Sequence, residues 1–297
     1  RLLIPPAEVY GVASSYKLLS TTTRPPRVAH VCDDIACKLQ GADKLCAALE
    51  HKFGPSGTPV SNGQATWHRS PCLGLCERGP AVLFQLAGDC QDGTIAPAGL
   101  EDIESVLGGT DVPITPTIST PQTIGTPDLA LRLLHRVQDC DPANLASYRG
   151  AGGYSGLQRA LKLGPTRVIE EISKSKLQGR GGAAFPTGRK WDAVAKSQVS
   201  PRYVVCNADE SEPGTFKDRV LMEEDPFAII ESMTIAGFAV GAEEGYLYVR
   251  GEYPLATTRL EHAIQVCQSE ALLGPNVMGG GFNFDIELRR GAGAYIC

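Results

Sequence analysis

Two pairs of cysteines stand at spacings that suit metal chemistry: Cys32 and Cys37 as C-x4-C, and Cys72 and Cys76 as C-x3-C, each pair just after a β-prone run. Four thiolates on two strand-end loops can hold a 2Fe-2S cluster, two per iron. The loops VCDDIAC and SPCLGLCERGP are short and carry glycine or other small residues. Backbone N–H groups can therefore turn toward the sulfurs and stabilise the reduced, more negative state. Three other readings compete. A structural zinc site also takes four thiolates but favours C-x2-C pairs. Buried, unligated cysteines are common in cores, although these four sit in loops. A redox dithiol of the thioredoxin kind needs C-x-x-C, which neither pair supplies. Cys46, on the apolar face of the next helix, and Cys90, in a turn, read as structural.

A second constellation follows in LQGRGGAAFPTGRKW, where Gly179, Gly181, Gly182 and Gly188 alternate with Arg180, Arg189 and Lys190. Glycines expose backbone N–H groups and allow close approach, while the basic side chains neutralise phosphate, so the stretch suits a flavin or dinucleotide phosphate. Gly179, Gly181 and Ala184 satisfy G-x-G-x-x-A in form, but the stretch follows a predicted helix rather than a strand, so an ordinary Rossmann turn is not expected. A flexible turn with solvated charges is the plainer alternative. Further on, a strand over 202–206 delivers NADESEPGTFKDR, which crowds Asn207, Asp209, Glu210 and Glu212 into one loop. Carboxylates at a strand end can accept hydrogen bonds from ribose hydroxyls and would repel a 2′-phosphate, favouring NAD over NADP. A solvated acidic loop or a divalent-metal site are the other possibilities.

The elements that must position these residues follow from pattern. Residues 1–23 read as the end of a helical segment, with Val9, Val12, Ala13, Tyr16 and Leu19 on one face. Over 24–108 the order is strand, Cys loop, helix 42–53, strand 64–69, Cys loop, strand 81–87 and helix 98–107, which suits a thioredoxin-like α/β unit. Residues 109–127 are rich in Thr and Pro and read as a linker. Residues 128–297 read as a second α/β domain, with helices near 129–138, 165–173 and 254–267, and strands 202–206, 246–250 and 282–288. The apolar helix opened by Asp225-Pro226 contains Glu231 and is too short to span a bilayer, so it is expected to be buried. The length of 297 residues exceeds what one core usually serves, which accords with two domains. A net charge of -5 suggests no nucleic-acid surface, and ten cysteines without an export signal favour ligation or burial over disulfides in a cytoplasmic protein. Arg1 and Cys297 both look like interior positions of a longer chain.

Together these motifs resemble the NADH-oxidising flavoprotein module of respiratory complex I and its relatives. Those relatives include the diaphorase subunits of NAD-reducing hydrogenases and the β subunits of NAD-dependent formate dehydrogenases. Residues 1–108 resemble the thioredoxin-like 2Fe-2S subunit and residues 128–297 the FMN/NADH-binding subunit. Fusion of the two is more typical of the hydrogenase and formate dehydrogenase branches, with the complex I tip as the alternative. The resemblance implies that Cys32, Cys37, Cys72 and Cys76 are cluster ligands, that Gly179 to Gly188 bind NADH with Phe185 stacking on the nucleotide, and that Lys190 lies near the flavin phosphate. It places Asn207 and Asp209 on the isoalloxazine, Glu210 and Glu212 toward the nicotinamide nucleotide, and Tyr295 in RRGAGAYIC on the flavin.

The family motif continues past this point with Gly-Glu-Glu and later cysteines for a 4Fe-4S cluster, which Cys140, Cys206, Cys267 and Cys297 do not reproduce. Ala193 replaces an aromatic that some relatives carry. The implied enzyme is an NAD-dependent flavin and iron-sulfur oxidoreductase that partners other iron-sulfur subunits. Hydride would pass between nicotinamide and flavin without a protein acid or base. The rival class is a non-catalytic metal-binding relay or scaffold.

Overall fold

The computed structural model describes residues 3–88, 92–112 and 133–293, so Cys90, Tyr295 and most of the expected linker lie outside the described residues. The first sheet is built from β1 (Arg27–Cys32), β2 (Pro59–Val60), β3 (Ala65–Ser70), β4 (Val82–Leu86) and β5 (Gly93–Ile95), in the order β2-β3-β1-β4-β5. β1 runs parallel to β3, with Cys32 opposite Ser70, and antiparallel to β4. Because the parallel pair ends in register, the loops that leave it start side by side. This register brings C-x4-C and C-x3-C together.

α2 (Ile35–Leu39), α3 (Ala42–Phe53) and α4 (Leu100–Leu107) accompany that sheet, and α1 (Pro6–Ser15) precedes it. α3 buries Leu45, Cys46 and Leu49 against Trp67, and Gly54 ends it at φ +87°, a conformation that other residues rarely adopt. Trp67 is fully buried, and truncating it to Ala would cost roughly 3–5 kcal/mol.

The second sheet is parallel throughout, in the order β6 (Tyr203–Ala208), β7 (Glu244–Val249), β8 (Asp285–Arg290). The helices are α5 (Leu145–Gly150), α6 (Ser155–Leu163), α7 (Pro165–Lys174), α8 (Thr187–Lys196), α9 (Lys217–Glu224), α10 (Pro226–Val240) and α11 (Pro254–Ser269). α10 is the apolar helix expected from sequence, packed between the sheet and α6, α7 and α8. Gly237 lets it approach Phe284, since a Cβ there would lie 2.4 Å from the ring. Its Glu231 is buried because it accepts from Tyr148 Oη at 2.6 Å, from Tyr154 N at 2.7 Å and from Leu157 N at 2.9 Å, holding the start of α6. No helix among the described residues is long and apolar enough to cross a membrane.

Several sequence expectations need correction. The expected helix near 129–138 is not helical over its described part, 133–138, which forms turns. Arg136 is drawn across to Asp225 at 2.7 Å and over the Tyr148 ring, which fixes the segment by its side chain rather than by a helical ladder. α1 ends at Ser15 and buries nothing, so the predicted face reaching Leu19 does not form. The chain turns out at Tyr16, and Leu18 donates its N–H to Ala292 O at 3.1 Å. β8 begins at Asp285 rather than 282, because Phe284 pairs instead with Gly274 in an antiparallel bridge.

Candidate functional site

The two sheets face each other through the loops at the carboxyl ends of their parallel strands. In open parallel sheets such ends are where ligands bind. On the first domain the four sulfurs form a chain of contacts from Cys37 through Cys32 and Cys72 to Cys76, the last two 3.3 Å apart. Cys32, Cys37 and Cys72 are nearly inaccessible and Cys76 is buried.

Cys72 accepts from Gly74 N at 3.3 Å and Cys76 from Gly214 N at 3.2 Å, while the backbone of Asp34 and of Ala81 favours the thiolates of Cys32 and Cys37. Hydrogen bonding among the thiols pushes Cys32 and Cys76 up and Cys37 and Cys72 down. Four packed thiols with this donor set cannot ionise together unless a cation sits among them. Among the described residues, no three His, Cys, Asp or Glu side chains meet as the ligands of one ion. Two pairs in a row, with backbone N–H donors on Cys72 and Cys76, fit the two-per-iron ligation of a 2Fe-2S cluster. By contrast Cys206 and Cys267 are pushed up to about 11 by burial and keep their protons at neutral pH. Cys46 lies wholly within the first core.

The loop after β3 is clamped from the other domain. Gly214 donates to Cys76 Sγ at 3.2 Å, and Arg250, at the end of β7, donates to Cys72 O at 2.6 Å. Gly74, at φ +72°, leaves room for Tyr253, whose hydroxyl a Cβ would meet at 2.2 Å. Beside Cys76, Glu77 pairs with Arg78 at 3.0 Å and with Arg219 of α9, which also holds Glu223 at 3.0 Å. Burial pushes the Glu223 carboxyl above its usual range, against the pull of Arg219. Arg219, Gly214, Arg250 and Tyr253 were not singled out in the sequence. The available signal was position, since RGEYP follows a strand as NADESEPG does.

On the second domain the glycine stretch joins α7 to α8. It is pinched shut by a bridge between Gln178 and Pro186, with Gly179 N donating to Phe185 O at 2.9 Å. Gly182 takes φ +101°, and a Cβ on Gly181 or Gly182 would meet nothing within 4 Å. Phe185 is half exposed beneath Arg189, which lies 5.8 Å from its ring centre, and Arg180 and Lys190 are exposed. The loop is thus an open, cationic surface leading into a helix N-terminus. Gly188 differs from its neighbours: it is buried where α8 crosses α7, with Ser173 Cα 2.7 Å from a built Cβ.

At the end of β6, Asn207 is exposed and accepts from Asp209 N at 3.1 Å, while Asp209 is half-buried and accepts from Ser211 Oγ at 2.8 Å. Glu212 is exposed. Glu210 is buried, and its carboxylate accepts from Asp218 N at 2.6 Å, Arg219 N at 3.3 Å and Tyr253 Oη at 3.0 Å, so it caps α9. Two concavities lie away from this loop. One, of about 450 Å³, runs along the β6 edge past Cys206 and Arg136; the other, of about 720 Å³, borders the Cys32–Cys37 loop.

Residues 1–97 match the family described as thioredoxin-like 2Fe-2S ferredoxin, and residues 172–297 match the Nuo51 FMN-binding domain. The chain is 34% identical over its whole length to the NAD-reducing hydrogenase HoxS subunit alpha of Cupriavidus necator, of which it covers 49%. Over 56% of the chain it is 48% identical to an NADH-quinone oxidoreductase subunit of Rhizobium meliloti, covering 39% of that protein. Over 53% it is 46% identical to the NADP-reducing hydrogenase subunit HndC of Solidesulfovibrio fructosivorans, covering 32%. The chain thus spans half or less of the length of these relatives. The solved structure of a NAD+-reducing NiFe hydrogenase in the H2-reduced state superposes with a TM-score of 0.73 at 25% identity, covering 99% of this chain and 48% of that one.

Proposed function

We propose, on the match of residues 1–97 to the thioredoxin-like 2Fe-2S ferredoxins and of residues 172–297 to the Nuo51 FMN-binding domain, that this chain moves electrons between NAD(H), FMN and a 2Fe-2S cluster. The observation that carries the reading is the junction: the loop after β6, expected to face flavin and nucleotide, also donates Gly214 N–H to Cys76 at 3.2 Å. FMN, when bound, supplies the conversion between a hydride's electron pair and the single electrons that iron-sulfur centres carry.

The chain's own residues supply position and charge. Backbone N–H groups of Gly179, Gly181 and Gly182, with Arg180, Arg189 and Lys190, receive phosphate, and Phe185 offers a ring for stacking. Asn207 and Asp209 meet the flavin edge from the end of β6, and the family resemblance adds Tyr295 as a flavin contact. Glu210 acts at one remove by holding α9 and the loop, and Gly188 by packing α8. Glu212 is then the exposed carboxylate that faces ribose and disfavours a 2′-phosphate. Cys32, Cys37, Cys72 and Cys76 hold the cluster. No protein acid or base takes part in hydride transfer.

The likeness to HoxS subunit alpha spans both domains in one chain, whereas the likeness to the NADH-quinone oxidoreductase relative from Rhizobium meliloti covers 56% of it. That supports an NAD-linked hydrogenase or formate dehydrogenase, with other iron-sulfur subunits as partners, over the NADH:quinone reading. In the reconstituted protein, Gly181→Leu keeps an unstrained backbone and fills the open surface, so NADH oxidation with an artificial acceptor should fall at least tenfold while flavin absorbance stays. Unchanged turnover would remove the glycine loop from the nucleotide site. Glu212→Gln should improve the use of NADPH relative to NADH, and an unaltered ratio would remove Glu212 from that role.

A further inference from the structure

We propose that the second domain sets the reduction potential of the cluster in the first, with Arg250 as the positioning residue and Glu252 as its counter-charge. The inference rests on reading Cys32, Cys37, Cys72 and Cys76 as cluster ligands. Cys72 takes an N–H from Gly74 in its own loop, whereas Cys76 takes one from Gly214, 138 residues away in the other domain. Arg250 is 1% exposed, so its charge acts in a medium that screens little. Its Nη2 donates to Cys72 O at 2.6 Å, its Nη1 donates to Glu210 O, and its Nε pairs with Glu252, itself 3% exposed, at 3.1 Å.

One-electron reduction of the cluster adds one negative charge. A buried cation bonded to a ligand's own carbonyl favours that charge, and a buried carboxylate opposes it. Arg250 also grips the loop that carries Asp209 and Glu210, so the residue that tunes the electron acceptor also fixes the loop expected to meet the donor.

The test is a redox titration of the reconstituted full chain, followed by the reduced-cluster EPR signal, with dithionite supplying the electron through mediators and no nucleotide present. Arg250→Met should lower the ratio of reduced to oxidised cluster at a fixed potential about tenfold, which is 59 mV for one electron. Arg250→Lys should fall between it and the parent. Glu252→Gln should shift the ratio the opposite way, a reversal that a merely structural role would not produce. If Arg250→Met fails to assemble, Glu252→Gln and Arg250→Lys decide. A Glu252→Gln protein that titrates with the parent, or shifts in the same sense as the arginine variants, overturns the proposal. The measurement needs no bound flavin, so failure of the flavin reading would leave it intact, whereas absence of the EPR signal in the parent would instead indict the ligand reading.

Discussion

Cys32–Cys37 and Cys72–Cys76 leave the ends of neighbouring parallel strands, yet the first loop borders a groove of about 720 Å³ and the second is enclosed by another domain. The first is held from within: Asp34 accepts from Ile35 N at 2.7 Å and from Cys72 N at 3.2 Å, and Gln40 donates to Cys76 O at 2.8 Å. The second is held from outside by Gly214, Arg219, Arg250 and Tyr253. The same ligand chemistry can therefore rest on two supports of different kind. Side-chain bonds within the first domain cap the first loop and tie it to the second, and a buried ionic network holds the second from across the domain boundary.

If that contrast is right, the largest losses come from the boundary. Arg219 is 2% exposed between Glu77 and Glu223. Arg219→Met should cost roughly 3–5 kcal/mol, because it takes from Glu223 its ion-pair partner and from Glu77 the cation that reaches it from the other domain. Chemical denaturation would check this, and a loss under 1 kcal/mol would mean the network is solvated and the clamp illusory. Gly74→Val should follow at roughly 3 kcal/mol, combining a left-handed backbone with a Cβ inside the Tyr253 ring. It should also release iron. A variant with parent stability and parent iron content would show that the second domain does not press on this loop. Asp34→Ala comes next, at about 1–2 kcal/mol, since it removes a cap and a bond between the loops. Thermal melts should show it destabilised less than either boundary variant, and the reverse order would invert the comparison.

How much of this was legible in sequence depended on the range of the cause. α3 appeared with its bounds because Leu45, Cys46 and Leu49 repeat on one face and Gly54 ends the run. α10 was legible because Asp225-Pro226 opens a mostly apolar stretch whose one charged residue is Glu231. The cysteine spacing was visible too, since both pairs are local. The boundary was not. Arg250 meets Cys72 across 178 residues and Gly214 meets Cys76 across 138, and no periodicity encodes such pairs. Glu210 sat in an acidic run that read as ligand-facing, and only the position of α9 shows it turned inward to Asp218 N. The turns at 133–138 escaped for the same reason, because Asp225, far along the chain, decides where Arg136 goes.

The smallest expected effect sharpens the contrast from the open side. On α2, Ile35 is 66% exposed and Leu39 is 86% exposed, flanking the buried Cys37. Side chains so exposed gain almost nothing from burial, so Ile35→Ser with Leu39→Ser should leave stability within about 0.5 kcal/mol of the parent. The sulfur contacts and the Asp34 and Gln40 bonds involve neither side chain, so iron content should also hold. A loss of more than about 1 kcal/mol in the double variant would mean that these apolar groups are covered in solution. The open loop would then be a second clamped one, and the difference between the two cysteine pairs would reduce to which partner does the covering.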